Sequence, residues 1–240
     1  MTTDRIVAIT GGGGALGGAL AAHLVGQGYK VALFDTKRAK DRLAQIVEQV
    51  GAGNALGHAG DFATATTWES ALAATKDAFG APPTHGVLVA GGWDGGAPLH
   101  EAKDDGVYQT MIALNVDTAY RALRSLLPSM VEKKHGSIVV VGSRAVERPW
   151  TSTGAAAYGA SKAAVVSMAQ AVAQEVLEHG VRINAILPST MDTPANRAAM
   201  PSVDPATWVS LDSASSVVAF LLGEGARDVS GAAIPVYGRA

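Results

Sequence analysis

The feature that most constrains this chain is a glycine-rich run at the end of its first apolar segment. Arg5 to Thr10 reads as a short buried strand, and Gly11-Gly12-Gly13-Gly14-Ala15-Leu16-Gly17 follows it directly and opens a helical pattern. Small residues there let a pyrophosphate approach backbone N–H groups at the positive end of a helix. A flexible turn has the same composition, but the strand before the run and the helix after it favour a phosphate-binding turn.

Six further apolar runs read as strands: Lys30 to Phe34, Ala55 to Ala59, Gly86 to Ala90, Ser137 to Val141, Arg182 to Leu187 and Ala233 to Val236. Most are rich in Val, Ile or Leu without polar alternation, as suits strands buried on both faces, and segments of helical spacing separate them. Repeated βα units of this kind predict an α/β, Rossmann-type, doubly wound parallel sheet in a single domain over 1–240. Ala55 to Ala59 holds small residues and is a strand chiefly by its place between two helical patterns. A long helix is expected from Tyr108 to Lys134, with Pro128 kinking or dividing it, and another from Ala155 to Glu178.

Nearly half of the 240 residues are apolar (48%) and 17% are charged, enough hydrophobic material for a large core. The net charge of -2 is spread along the chain, with no basic footprint for nucleic acid and no polybasic membrane patch. A small-molecule partner fits better. With no cysteine there is no disulfide, thiolate nucleophile or thiolate metal site, and no metal is expected. No basic-then-apolar leader opens the sequence, and no apolar stretch reaches the roughly 18 to 20 residues that span a bilayer, so a cytoplasmic location is expected.

Asp35 ends the second strand, eighteen residues after Gly17. A carboxylate there accepts hydrogen bonds from the ribose hydroxyls of an adenosine and repels a 2′-phosphate, which favours NAD(H). Lys37 and Arg38, just beyond, could pair with such a phosphate and leave NADP(H) open. Asp61 follows the third strand and could bond the adenine amino group or cap the next helix.

Tyr158 and Lys162 stand four residues apart in the second helical pattern, so both side chains share one face. Their helix follows Gly142-Ser143 at the expected carboxyl edge of the sheet, where ligands of such folds bind. A neighbouring ammonium favours the phenolate, so Lys162 is expected to lower the pKa of Tyr158. Ser143 can donate to a substrate oxygen that becomes negative, or can serve as a turn residue. Asn115 could anchor a proton-relay water by opening a helical turn, or be an ordinary polar helix residue.

Together these residues resemble the short-chain dehydrogenase/reductase family. Its marks here are the glycine turn, Asp35, Asn115, Ser143, Tyr158-Gly-Ala-Ser-Lys162 and Ile183-Asn-Ala-Ile-Leu-Pro188. The resemblance implies a seven-stranded parallel sheet in a three-layer αβα arrangement, a nicotinamide cofactor and a catalytic tetrad of Asn115, Ser143, Tyr158 and Lys162. It implies a cofactor site built from Gly11, Gly14, Ala15, Leu16, Gly17, Asp35, Asp61, Ala90, Gly91, Gly92, Tyr158, Lys162, Pro188 and Thr193, with Thr193 at the nicotinamide carboxamide. It also implies a homodimer or homotetramer. The sequence departs from the family pattern at Ala15 and Ser189, where glycine is usual, and at Ala90, in a segment usually marked by asparagines. Ser143 precedes Tyr158 by fifteen residues rather than the usual thirteen, which implies an insertion near Pro149-Trp150.

A narrower resemblance to dihydropteridine reductases is carried by Gly14-Ala-Leu-Gly17, by Val89-Ala-Gly-Gly-Trp-Asp-Gly-Gly96 and by the segment from Asp192 to Pro201. Three activities follow as expectations: NAD(H)-dependent hydride transfer with a carbonyl or alcohol, reduction of a quinonoid dihydropterin, or NAD(H) binding as a non-catalytic sensor or scaffold. Trp93, Trp150, Met191, Met200 and Trp208 could shape the substrate space or belong to the core. Arg144 and Arg148 could pair with an anionic substrate or stay solvated. The segment 189–211, rich in prolines and small residues, is expected to be a mobile substrate lid.

Overall fold

The computed structural model describes residues 5–239. Seven strands, β1 (Ile6–Thr10), β2 (Lys30–Asp35), β3 (Ala55–Ala59), β4 (His85–Leu88), β5 (Gly136–Val141), β6 (Val181–Pro188) and β7 (Ala233–Val236), form one sheet in the order β3-β2-β1-β4-β5-β6-β7. Every pairing is parallel, with Ile9 of β1 opposite Leu33 of β2 and Val87 of β4. Every residue of β1, β4 and β5 is buried, which is why those strands read as unbroken apolar runs. The fourth strand begins one residue before the expected run and ends at Leu88, leaving Val89 and Ala90 beyond the sheet.

The helices are α1 (Ala15–Gly26), α2 (Lys40–Val50), α3 (Ala65–Phe79), α4 (Gly106–Met111), α5 (Thr118–Lys133), α6 (Ala156–Glu175), α7 (Pro194–Ala199) and α8 (Leu211–Leu222). One hydrophobic cluster packs Leu20, Leu24, Leu43 and Val218 against one face of the sheet. A second packs Trp68, Leu123, Leu126 and Val165 against the other, completing three layers. Local chemistry sets several helix starts: Thr64 accepts from the N–H of Thr67 at α3, and Ser210 from that of Ser213 at α8. Asp61 therefore does not cap α3; its carboxylate closes a local turn onto the N–H of Ala63 at 3.1 Å.

The helical region before β5 differs from its expected form. The α5 helix runs through Pro128 to Lys133, and the irregularity lies upstream, in a π-helical turn over Ile112–Asp117 that joins α4 to α5. Such a turn widens the backbone ladder by one residue, and this one holds Asn115. Similarly, α6 ends at Glu175 and a short 3₁₀ turn, Leu177–His179, replaces its expected last turn. No helix among the described residues is long and apolar enough to cross a membrane.

Candidate active site

Strand order reverses between β1 and β4, so the loops leaving their carboxyl ends diverge and open a crevice there. The glycine turn leaves β1 on one side of it. Gly14 donates its N–H to the Gly11 carbonyl at 3.0 Å and stands just before α1, whose first residue, Ala15, is exposed, while Leu16 is buried in the core. A Cβ at Gly17 would press into the Gly11 carbonyl oxygen, so only glycine lets the helix start this close to the turn. The Thr10 hydroxyl accepts the Ala90 N–H at 3.1 Å and ties the end of β1 to the segment leaving β4.

Asp35, at the end of β2, lies against the glycine turn. Its carboxylate accepts from the N–H groups of Gly13 at 2.9 Å and Thr36 at 2.7 Å, and each oxygen keeps a second lone pair for another donor. These features fit a dinucleotide: backbone donors in a side-chain-free cradle for the pyrophosphate, and a fixed acceptor for a ribose diol.

The loop after β4 is clamped to the π-helical turn. Asn115 Oδ1 accepts from the N–H of Gly92 at 3.0 Å, while its Nδ2 donates to the Gly92 carbonyl at 3.1 Å and to Ser161 Oγ at 3.0 Å. The Asn115 carbonyl in turn accepts from the Thr118 hydroxyl at 3.1 Å. The expected opened turn is present; both amide donors of Asn115 are taken by protein partners, and its Oδ1 keeps one lone pair beside the loop after β4. A Cβ at Gly91 would meet Asn115 Oδ1 at 2.5 Å and Lys162 Nζ at 3.3 Å, which keeps this loop side-chain-free beside the lysine.

Tyr158, in the first turn of α6, and Ser143, just past β5, meet through their hydroxyls. Ser143 Oγ also accepts the Ala145 N–H at 3.2 Å, the expected turn role, which fixes the position of its hydroxyl. Burial pushes the Tyr158 phenol above its usual value, and the Ser143 hydrogen bond opposes that rise. The expected net lowering of the Tyr158 pKa by Lys162 is not found, because burial of the phenol dominates. The Lys162 side chain is 7% exposed, its Nζ donates to the Val141 carbonyl at 2.9 Å, and burial lowers its pKa to about 8.

Pro188 ends β6 and leads into 189–211. The base of that segment is pinned: Ser189 donates its N–H to the Val236 carbonyl and its hydroxyl to that of Tyr237, and Met191 bridges Val209. Thr193 caps α7 by accepting the Asn196 N–H at 3.1 Å, and its hydroxyl proton is free to donate. The proposed substrate-shaping side chains divide. Trp208 is buried and Met191 packs on the core, whereas Trp93 (64%) and Trp150 (71%) are exposed. Their two loops are joined by a Gly96 N–H to Gly154 carbonyl bond of 2.8 Å.

Two contributors were absent from the sequence reading. Thr10 is marked only by being a hydroxyl residue at the end of an apolar strand. Ser161 is a polar residue on the buried face of α6, immediately before Lys162.

Comparison with known proteins fits this architecture. The short chain dehydrogenase family model matches residues 5–203. The chain is 33% identical over 205 residues to the 2,5-dichloro-2,5-cyclohexadiene-1,4-diol dehydrogenase LinX of Sphingobium indicum, covering 83% of this chain and 78% of that protein. It is 28% identical over 251 residues to 2-(S)-hydroxypropyl-CoM dehydrogenase 3 of Xanthobacter autotrophicus, covering 98% of this chain and 96% of the relative. Among solved structures, a short chain dehydrogenase/reductase family oxidoreductase from Burkholderia thailandensis superposes with a TM-score of 0.85 at 28% identity, covering 99% of this chain and 92% of that one. A 3-ketoacyl-(acyl-carrier-protein) reductase from Brucella melitensis, complexed with NADH, does so with a TM-score of 0.83 at 25% identity, covering 98% of each chain. None of these is described as a dihydropteridine reductase, and the narrower resemblance draws no support from them. Strand order, crevice and family match agree: the chain belongs to the short chain dehydrogenase family, whose members are oxidoreductases that use a nicotinamide cofactor.

Proposed function

We propose that this protein transfers hydride between NAD(H) and a carbonyl or alcohol substrate, with Tyr158 as the acid/base. The observation that carries this reading is the meeting of the Tyr158 and Ser143 hydroxyls at the carboxyl edge of the sheet, beside the cradle that fits a dinucleotide. When bound, the nicotinamide supplies or accepts the hydride.

The cofactor would be held by the turn from Gly11 to Gly17, including Gly14, Ala15 and Leu16, by Asp35 and Asp61, by Ala90, Gly91 and Gly92, and by Pro188 and Thr193. In the reducing direction Ser143 Oγ donates to the carbonyl oxygen and keeps it within reach of the Tyr158 hydroxyl, which delivers the proton as negative charge develops. A raised pKa suits that task, since the phenol stays protonated at neutral pH. Lys162, fixed by Val141, places its ammonium against Gly91 and supplies positive potential near the reacting oxygen. Asn115 positions the Gly92 peptide.

Asp35 supports NAD(H) over NADP(H), because a 2′-phosphate would meet a carboxylate already fixed by two backbone donors. Segment 189–211 serves as the lid. With its base pinned, the part left to move spans residues 192–207, carrying α7 and the Arg197–Asp192 ion pair (2.6 and 2.8 Å). A second reading, reduction of a flat quinonoid dihydropterin, rests on the exposed rings of Trp93 and Trp150 on their joined loops.

The test is oxidation of NADH and NADPH by the purified protein against ketones, aldehydes, diketones and quinonoid dihydropterin, alongside Tyr158→Phe. Carbonyl turnover with NADH that falls by about 10²- to 10⁴-fold in Tyr158→Phe, with NADH binding retained, supports the reading. Pterin turnover alone selects the second reading. Retained NADH binding with no turnover of any substrate identifies a binding protein instead.

A further inference from the structure

Among the described residues, four lysine or arginine side chains escape full exposure, and three have protein partners. Arg121 pairs with Asp117 at 3.1 Å, and Lys162 donates to the Val141 carbonyl at 2.9 Å. Arg182 donates to the carbonyls of Leu221, Leu222, Gly223 and Val229. The side chain of Arg144 is half-buried with neither a hydrogen bond nor an ion pair. The Arg144 guanidinium is not sealed from solvent, so its donors stand open to a ligand.

The position of Arg144 says which ligand. It follows Ser143 directly, at the start of the 3₁₀ turn Arg144–Val146 on the carboxyl edge of β5. Its neighbours leave it unneutralised. The one acidic side chain of that loop, Glu147, accepts the Tyr237 hydroxyl at 2.6 Å through Oε2, and Arg148 stacks its guanidinium 4.9 Å from the centre of the same ring. Tyr237 is also bonded through its carbonyl by Ser189, at the base of the lid, so the cluster lies between Ser143 and the lid. The positive charges of Arg144 and Arg148 both act on the Tyr237 phenol. Two cations and one engaged carboxylate leave this wall of the cleft net positive.

We infer that Arg144 receives an anionic group of the substrate, a carboxylate or another oxyanion, and so selects charged carbonyl compounds over neutral ones. The inference rests on the proposed hydride-transfer site and names the class of substrate that site takes. A guanidinium suits the role because its fixed fork of donors matches a planar oxyanion.

The test uses the NADH-loaded protein with a matched pair, acetoacetate and methyl acetoacetate, which share a ketone and differ in charge. Steady-state kinetics of wild type and Arg144→Gln are compared, and acetoacetate binding is followed by calorimetry. Wild type is expected to prefer the acid, and the acid-to-ester ratio of kcat/KM is expected to fall roughly tenfold to a hundredfold in Arg144→Gln, mainly through KM. Equal use of acid and ester by wild type, or a ratio unchanged in Arg144→Gln, overturns the inference while ester turnover upholds the reaction. If neither compound turns over, acetoacetate binding lost in Arg144→Gln supports the assignment, and no binding to wild type refutes it. A changed oligomeric state in Arg144→Gln with the ratio intact would mean that the guanidinium meets a second copy of the chain, which also overturns it.

Discussion

Asn115 Nδ2 lies 3.0 Å from Ser161 Oγ, and that hydroxyl donates in turn to the Tyr158 carbonyl at 2.8 Å. Through this pair the Gly92 peptide on one side of the crevice is linked to the first turn of α6 on the other. Replacing Ser161 with Ala leaves an amide donor of Asn115 without its acceptor in a fully buried place. The expected cost is about 1–3 kcal/mol of stability, seen as a lower denaturation midpoint. NADH affinity should also fall, as Gly92 loosens, and Ser161→Thr should recover part of both. An unaltered midpoint and affinity in Ser161→Ala would remove the link from the account.

The raised pKa of Tyr158 makes the two reaction directions respond oppositely to pH. The protonated phenol gives its proton during reduction, so carbonyl turnover should hold across neutral pH and decline as the phenol ionises at alkaline pH. Alcohol oxidation needs the phenolate and should rise over the same interval. The Lys162 ammonium, with a pKa of about 8, loses its charge before the phenol ionises and should add an earlier, separate inflection. Profiles of kcat/KM in both directions check this, and parallel profiles would rule it out.

Cofactor choice should follow Asp35. In Asp35→Ser the repulsion of a 2′-phosphate is gone, while a hydroxyl remains for Gly13 and Thr36. The ratio of NADPH to NADH kcat/KM should rise by about tenfold or more. A constant ratio would show that cofactor choice is made elsewhere.

His85 opens β4 at the amino end of the sheet, far from the cleft, and its pKa is lowered from 6.5 to about 3 by burial and then by the nearby charges of His135, Arg5 and Arg182. The unfolded chain takes up this proton near pH 6.5 and the folded protein does not until about pH 3. Stability should therefore decline as pH falls from 6.5 toward 3, with a slope approaching about 1.4 kcal/mol per pH unit from this residue. Denaturant unfolding of wild type and His85→Gln at pH 7 and pH 4.5 checks the sign: the variant should lose less on acidification, and an equal loss would clear His85 of the effect.

The fold was legible where the signal is local. Buried parallel strands are continuous apolar runs, so β1, β2, β5 and β6 read within a residue or so of their bounds, and the four-residue spacing of Tyr158 and Lys162 needs only the helical period. Links between distant positions were not legible. Thr10 meets Ala90, Gly92 meets Asn115, and Asn115 meets Ser161 across 80, 23 and 46 positions, where no periodicity reaches. Pro128 drew attention as a helix breaker, yet the ladder widened at Asn115, where the chain must turn its amide onto the Gly92 loop. The shift of Tyr158 was misjudged for a related reason, since spacing shows that a lysine is near but not how deeply the fold buries the phenol.

The strand order carries a consequence for how the molecule comes into being. In a chain made from its amino end, β1, β2 and β3 can assemble as a unit as soon as they emerge, because they neighbour one another in the sheet. The fourth strand must then add to the opposite side of β1, and only with it does Ala90 reach Thr10. The nucleotide cradle thus begins as half a binding site on a half-built sheet, with the free edge of β1 exposed until β4 arrives. A ligand that recognises the finished crevice can favour only the last stage of that assembly, so any gain in refolding yield from added cofactor must come after β4 has docked.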